Sequence, residues 1–315
     1  MIKYDDILES YKYVVDNSKH VKINSSNIKK INSLFQPIDS DFKFNLNFLG
    51  LNHKSNKELL IYFIICNSLN FCFFGTDPKW QIEFKGEFYS GSWGLFYAIA
   101  KNADVMLDLD YLKTITKEEL NLILKGTSEI SILDKRYDIL MDVTKEMMGI
   151  KDLEALFKNA NDENELLNII VETFSNFRDI SIYKGRKIYF FKRANLFVQD
   201  LVANFPFISD KIKNIDHLFG CADYKIPQVL RSLGILEYSE ELANKIDSLK
   251  SIIHDSEEEI EIRANMLYAI EMIKKELLLN KIKMSSIGID NYLWLLSKNK
   301  THKDKPHHLT ITTYY

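Results

Sequence analysis

Residues 1–40 place Ile7, Tyr11, Val14 and Val15 on one face at helical spacing, with Lys and Asn facing away, so the chain is expected to open as helix. From residue 59 to 74 the pattern becomes densely apolar and closes as Asn70-Phe-Cys-Phe-Phe74; Gly75-Thr-Asp-Pro78 then makes a turn. Trp80-Gln-Ile-Glu-Phe84 and Glu87-Phe-Tyr89 alternate about Lys85-Gly86, which predicts a small hairpin. A second hairpin is expected where Ile180-Ser-Ile-Tyr183 and Lys187-Ile-Tyr-Phe190 flank Lys184-Gly185, running into a helix over 192–203. Ser90-Gly-Ser-Trp93 supplies N-caps for a helix over 95–103, Thr116-Lys-Glu-Glu119 and Ser128 mark further helix starts, and 161–177 is amphipathic. The tail reads as polar loop over 298–308, followed by a strand-like, packed Leu309-Thr-Ile-Thr-Thr-Tyr-Tyr315.

With 46% hydrophobic residues in 315, the chain can bury a large core, and 11 Gly with 5 Pro favours long helices over many short strands. No Ser/Gly-rich linker or charge block divides it, so one continuous domain over 1–315 is expected. A net charge of −3 gives no electrostatic footprint for binding duplex nucleic acid, whereas a single nucleotide is compatible with it. Cys66, Cys72 and Cys221 are odd in number and lack metal-ligand spacing, which indicates a reducing compartment without disulfide framework or zinc site. The start Met-Ile-Lys-Tyr-Asp-Asp has acids where a signal peptide is basic, and the apolar run 59–65 is too short to span a bilayer. The expectation is a cytoplasmic protein with no membrane contact.

Candidate chemistry centres on two carboxylates. Asp223, in Cys221-Ala-Asp-Tyr-Lys-Ile-Pro-Gln-Val-Leu230, precedes an apolar helix with Pro227 in its first turn, a position equally suited to capping that helix. Asp290, in Ile289-Asp-Asn-Tyr-Leu-Trp294, is also expected at a helix entrance, with the same two readings. Glu259, Glu261 and Arg263 suit a structural role at a helix start, Glu259 and Arg263 being an i,i+4 pair. Lys192-Arg193 can meet a phosphate or form a solvated basic face. His53 stands alone, and His302, Asp304, His307 and His308 lie in a polar loop where no metal is expected.

In order along the chain, Ser68-Leu-Asn-Phe-Cys-Phe73, Tyr89-Ser-Gly-Ser-Trp93, Phe191-Lys-Arg-Ala194, Ala222-Asp-Tyr-Lys-Ile-Pro-Gln-Val-Leu230, Glu259-Ile-Glu-Ile-Arg263, Ile289-Asp290, Tyr292-Leu-Trp294 and Tyr314-Tyr315 resemble the queuosine salvage protein family. The resemblance implies a mostly α-helical fold, similar to the helix-hairpin-helix DNA glycosylases, with small β-hairpin insertions. It also implies hydrolysis of queuosine 5′-phosphate to release queuine, with no cofactor, by a protein expected to be monomeric. In that comparison Asp290 takes the catalytic role and Asp223 base recognition. Substrate contacts are further implied for His53, Phe219, Cys221, Ser286, Ile287, Asn291 and Trp294, with Lys192 and Arg193 as phosphate ligands.

Elementary chemistry agrees with the assignment. Breaking an N-ribosidic bond develops positive charge at C1′, which an ionised carboxylate stabilises more than it stabilises the neutral ground state. Queuine, a 7-deazapurine, lacks the N7 whose protonation helps an ordinary purine to leave, so more of the barrier falls to charge at the sugar. The chain departs from the family pattern at Phe219-Gly-Cys221, where members carry Thr-Met-Phe, and at Asn291, where an aromatic is common; a related deazapurine therefore stays open as substrate. Two other classes are weighed beside this one: a glycosylase acting on damaged DNA or RNA, and a helical interaction protein without catalysis.

Overall fold

Helix starts are written into the chain as side chains that accept orphan backbone N–H groups, and the computed structural model shows several of them in use. It describes residues 1–35, 43–298 and 305–315. Ser55 and Thr116 each close a capping box with a Glu three residues on, opening the helices Asn56–Ser68 and Lys117–Ile123. Ser256 accepts from the Glu259 N–H and starts the longest helix, Glu257–Leu279. Helices dominate the described residues, and the strands form three two-stranded antiparallel pairs.

Both expected hairpins form, as Ile82–Phe84 with Glu87–Tyr89 and Ile180–Tyr183 with Arg186–Tyr189. Each turns through a Lys-Gly pair with both residues at positive φ, 51° and 86° at Lys85-Gly86 and 46° and 82° at Lys184-Gly185. That backbone matches the right-handed twist of the strands it joins, and glycine adopts it without steric cost.

The chain divides into two compact units, each assembled from separated stretches: Met1–Asp41, Asp179–Asn195 and Asn214–Thr312 form the first, and Phe42–Arg178, Leu196–Lys213 and Thr313–Tyr315 the second. In the first, the helix Tyr4–Asn17 buries Ile7, Tyr11 and Val14 and packs on Glu257–Leu279. The third strand pair, Val21–Ile23 with Leu236–Tyr238, also belongs to this unit. Instead of one helix over 1–40, the described part of that stretch is a helix to Asn17, this strand, the short helix Ser25–Ile28 and a 3-10 turn Ile31–Leu34. The break is local: Asn24 caps the second helix through Ser26 N–H and Asn27 N–H.

In the second unit the helix Asn56–Ser68 is buried continuously from Leu59 to Ser68, which accounts for its lack of a polar face. Arg136, fully buried on the helix Leu133–Met148, donates to the carbonyls of Leu69, Phe71 and Cys72 and so satisfies the irregular chain after that helix. Ser128 does not start a helix; the nearest begins at Leu133. The tail packs as expected, with Tyr315 1% exposed and its carbonyl accepting from Cys72 N–H, but without forming a strand. Leu309 forms an isolated bridge with Ser251. No helix among the described residues is long and apolar enough to cross a membrane.

Candidate active site

Asp290 does not open its helix. Ser285 does, its hydroxyl accepting from the Gly288 N–H at 3.1 Å, so that Asp290 is the fifth residue of Ser286–Leu296. The expected helix entrance at Asp290 is corrected by one turn, and the capping explanation for this carboxylate falls away. Its Oδ1 instead accepts from the Cys221 N–H at 2.8 Å, and the residue is 4% exposed.

Asp223, by contrast, does cap. Its Oδ1 accepts from Lys225 N–H at 2.7 Å and Ile226 N–H at 3.1 Å, at the head of the helix Lys225–Ser232. Oδ2 has no hydrogen-bond partner among the described residues, and the residue is half-buried. Between the two acids runs the segment 220–223, which Arg263 also holds by donating from Nε to the Ala222 carbonyl at 3.1 Å. Arg263 is itself fixed by two bonds to Asp179, at 3.1 and 2.5 Å, and by lying over the Phe190 ring. The i,i+4 pairing of Arg263 with Glu259 expected from the sequence is also present, at 3.4 Å. Its visible signal was Glu259-Ile-Glu-Ile-Arg263, charged residues alternating with isoleucines at the start of a helix.

Lys192 and Arg193 begin the helix Lys192–Asn204 and are 6% and 2% exposed, which excludes a solvated basic face. Burial pulls the Lys192 ammonium below its ordinary value, opposed by the neighbouring charges of Asp223, Cys221 and Asp290. At Asp290, burial raises the carboxyl well above the usual carboxylate range, and Asp223 pushes it further up. The Cys221 N–H and Lys192 pull it back. Asp290, Asp223, Cys221 and Lys192 are therefore one electrostatic cluster, buried except at Asp223.

The other expected contacts divide. Asn291 is 8% exposed and its amide nitrogen has no acceptor among the described residues, leaving a donor beside Asp290. Ser286 spends its hydroxyl on Glu271, whose other oxygen accepts from Tyr4 OH at 2.7 Å. Ile287 is 1% exposed, and half-buried Trp294 carries the Lys298 ammonium 4.0 Å above its ring. Phe219 is turned into the core, stacked on Tyr4 at 4.5 Å and edge-on to Tyr11. His53 is exposed in the second unit, before the Ser55 cap.

Of the polar-loop group, His302 and Asp304 lie outside the described residues, while the His307 ring lies tilted against Tyr224 with centroids 4.6 Å apart, Tyr224 being next in sequence to Asp223. Burial lowers His307 to about 4, so its ring is neutral at ordinary pH. Among the described residues two other groupings bring a histidine to carboxylates: His20 with Glu257 and Glu261, and His254 with Asp255 and Glu259. Glu261 is already engaged by the N–H groups of Lys19, His20 and Val21 and by Tyr183 OH. Glu259 faces Arg263.

A buried carboxylate gripped by a backbone N–H, with a second carboxylate and an ammonium beside it, can stabilise positive charge developing on a substrate carbon. Comparison with known proteins points to the same chemistry. The family model described as queuosine salvage protein matches residues 51–315. A protein of Sphaerobacter thermophilus named queuosine 5′-phosphate N-glycosylase/hydrolase is 32% identical over 274 residues, 84% of each chain. Proteins of the same name from Bos taurus and Mus musculus are 30% identical over 84% of each chain and 28% identical over 83%.

Proposed function

We infer that this chain, which belongs to the queuosine salvage protein family, hydrolyses the N-ribosidic bond of queuosine 5′-phosphate and releases queuine. The observation that carries this reading is the buried Asp290 carboxylate, held by the Cys221 N–H and accompanied by Asp223 and Lys192. As the C1′–N bond breaks, its electron pair leaves with the base and positive charge grows on the sugar. Asp290, ionised, lowers the energy of that state more than that of the bound substrate. Water then adds its oxygen to C1′, its proton balancing the base nitrogen, and the products are ribose 5-phosphate and queuine.

In this reading Lys192 offsets the repulsion between two neighbouring acids and keeps Asp290 ionised, while Arg193 remains the candidate for the phosphate. The free Oδ2 of Asp223 accepts from the N–H edge of the base or pairs with its cationic amine. Asn291 contributes its unsatisfied amide donor to the bound substrate. The enzyme works as a cytoplasmic monomer without a cofactor and does not bind duplex nucleic acid.

Incubating the purified protein with queuosine, its 3′- and 5′-phosphates and common nucleotides, and weighing the products by mass spectrometry, tests the reading. Free queuine is expected from the 5′-phosphate. Asp290→Asn should lower kcat on the order of 100-fold or more at nearly unchanged KM, because the lost interaction belongs to the transition state. Asp223→Asn should raise KM. Absence of free base from every queuosine species, or near-normal turnover by Asp290→Asn, would overturn it.

A further inference from the structure

The guanidinium of Arg263 is gripped on two sides. Its Nη1 and Nη2 donate to Asp179 Oδ1 and Oδ2 at 3.1 and 2.5 Å, while Nε donates to the Ala222 carbonyl at 3.1 Å. The guanidinium carbon stands 3.9 Å over the centre of the Phe190 ring, and Arg263, Asp179 and Ala222 are all 2% exposed or less. Stability alone is a poor account of this arrangement. Burying an ion pair strips both groups of water, and apolar residues of similar volume often serve a fold equally well. What an apolar pair cannot reproduce is the geometry: the guanidinium is planar with its donors at fixed angles, so groups bonded to its different sides are held at a fixed separation.

Both partners of this clamp lead to the candidate site. Asp179 precedes the strand Ile180–Tyr183, and its own carbonyl accepts from the N–H groups of Phe190 and Phe191 at 3.0 and 3.4 Å. Phe191 has a positive φ of 48°, and the next residue, Lys192, opens its helix. That backbone angle is costly for a phenylalanine, so the turn persists because its surroundings hold it. On the other side, Ala222 comes one residue before Asp223, whose Oδ1 caps the following helix. One rigid group therefore joins the turn that presents Lys192 to the segment that presents Asp223.

We propose that Arg263 and Asp179 are positioning residues for the substrate site, their clamp fixing where Asp223 stands relative to Lys192. The inference rests on the reading that Asp223 and Lys192 belong to that site, and it is independent of which carboxylate faces the sugar. Neither Arg263 nor Asp179 touches the substrate; each acts through the segment it holds.

Two conservative variants open the clamp from opposite ends. Arg263→Lys keeps the charge but offers one nitrogen in place of a fork, and Asp179→Asn keeps the shape while Glu259, 3.4 Å from Nη1, still balances the guanidinium. Each should lower kcat/KM for queuine release from queuosine 5′-phosphate on the order of 10- to 100-fold. Combined with Asp223→Asn, each should cost about threefold or less, because the group it positions has already been removed. Equal losses in the two backgrounds would overturn the proposal and assign the effect to the fold at large.

A carbon-13 NMR titration of labelled lysine, with Lys192 assigned by its disappearance in Lys192→Met, reads the same separation without turnover. Burial lowers the Lys192 ammonium, and Asp223 leads the neighbouring charges that act on it, before Cys221, Arg193 and Asp290. All four are retained in Arg263→Lys, so withdrawal of Asp223 should make Lys192 titrate at lower pH than in the parent. An unmoved titration in whichever variants fold would sink the idea. Failure of both to fold would do the same, since the pair would then be holding the fold and not the site. If the parent releases no queuine, the functional reading fails by itself; there, and where Asp223→Asn leaves no turnover to compare, the lysine titration decides whether the clamp positions Asp223.

Discussion

Asp290 holds its proton more tightly than an exposed aspartate because burial and Asp223 both disfavour its charge. Stabilising a cationic sugar requires the ionised form, which exists only above the raised value. The acid limb of kcat against pH should therefore fall at a pH above the ordinary carboxylate range of about 4. Lys192→Met removes the ammonium that pulls the carboxyl down and should move that limb to still higher pH, measured as queuine release over a pH series. A limb at ordinary carboxylate pH, or one that Lys192→Met leaves in place, would count against an ionised Asp290. At this scale the two aspartates were legible in the sequence as candidates, but which of them caps a helix was not. Capping is a matter of one helical turn, and Ser285 and Asp290 both sit where a chain read by pattern could begin that helix.

Among the elements, Ser286–Leu296 matters most because it carries Asp290 and Asn291 on a short, largely buried rod. Its start depends on the Ser285 hydroxyl. Ser285→Ala should lower stability by about 1 kcal/mol, read as a lower urea midpoint at unchanged slope; an unmoved midpoint would show that another group caps the helix. The hairpins were readable because strict alternation around Lys-Gly leaves few alternatives. The first forty residues were not, because Ile7, Tyr11 and Val14 supply helical spacing only as far as Asn17, and the strand Val21–Ile23 is defined by a partner more than two hundred residues away. Pairing at that distance leaves no local trace in a short sequence window.

On the scale of the whole molecule, stability should carry a pH signature from a group outside the candidate site. Burial raises the Asp200 carboxyl to about 7, despite the Asn67 amide donating to it at 2.7 Å. A carboxyl that keeps its proton in the fold but releases it near pH 4 when unfolded contributes fully below that pH, and the contribution is lost as pH rises towards 7. The loss is roughly 4 kcal/mol by pH 8. Asp200→Asn should accordingly be more stable than the parent at about pH 8 and gain little at about pH 4, as measured by urea midpoints at both. An equal difference at the two values would assign the effect to packing instead. The two compact units were invisible in the sequence for a related reason: three separated stretches build each, so no linker falls between one half and the other.

That interleaving also sets the order in which the chain can settle during synthesis. The N–H groups of Lys19, His20 and Val21 find their acceptor in Glu261, which in the case of Lys19 emerges 242 residues later. Tyr4 waits still longer for Glu271. Until the ribosome has delivered the helix Glu257–Leu279, the helix Tyr4–Asn17 lacks its most extensive partner and can meet the strand Arg186–Tyr189, Phe190 and Phe219. A segment made early is thus among the last to be fully secured, and a nascent chain stalled in the middle exposes Ile7, Tyr11 and Val14 to whatever else will bind them.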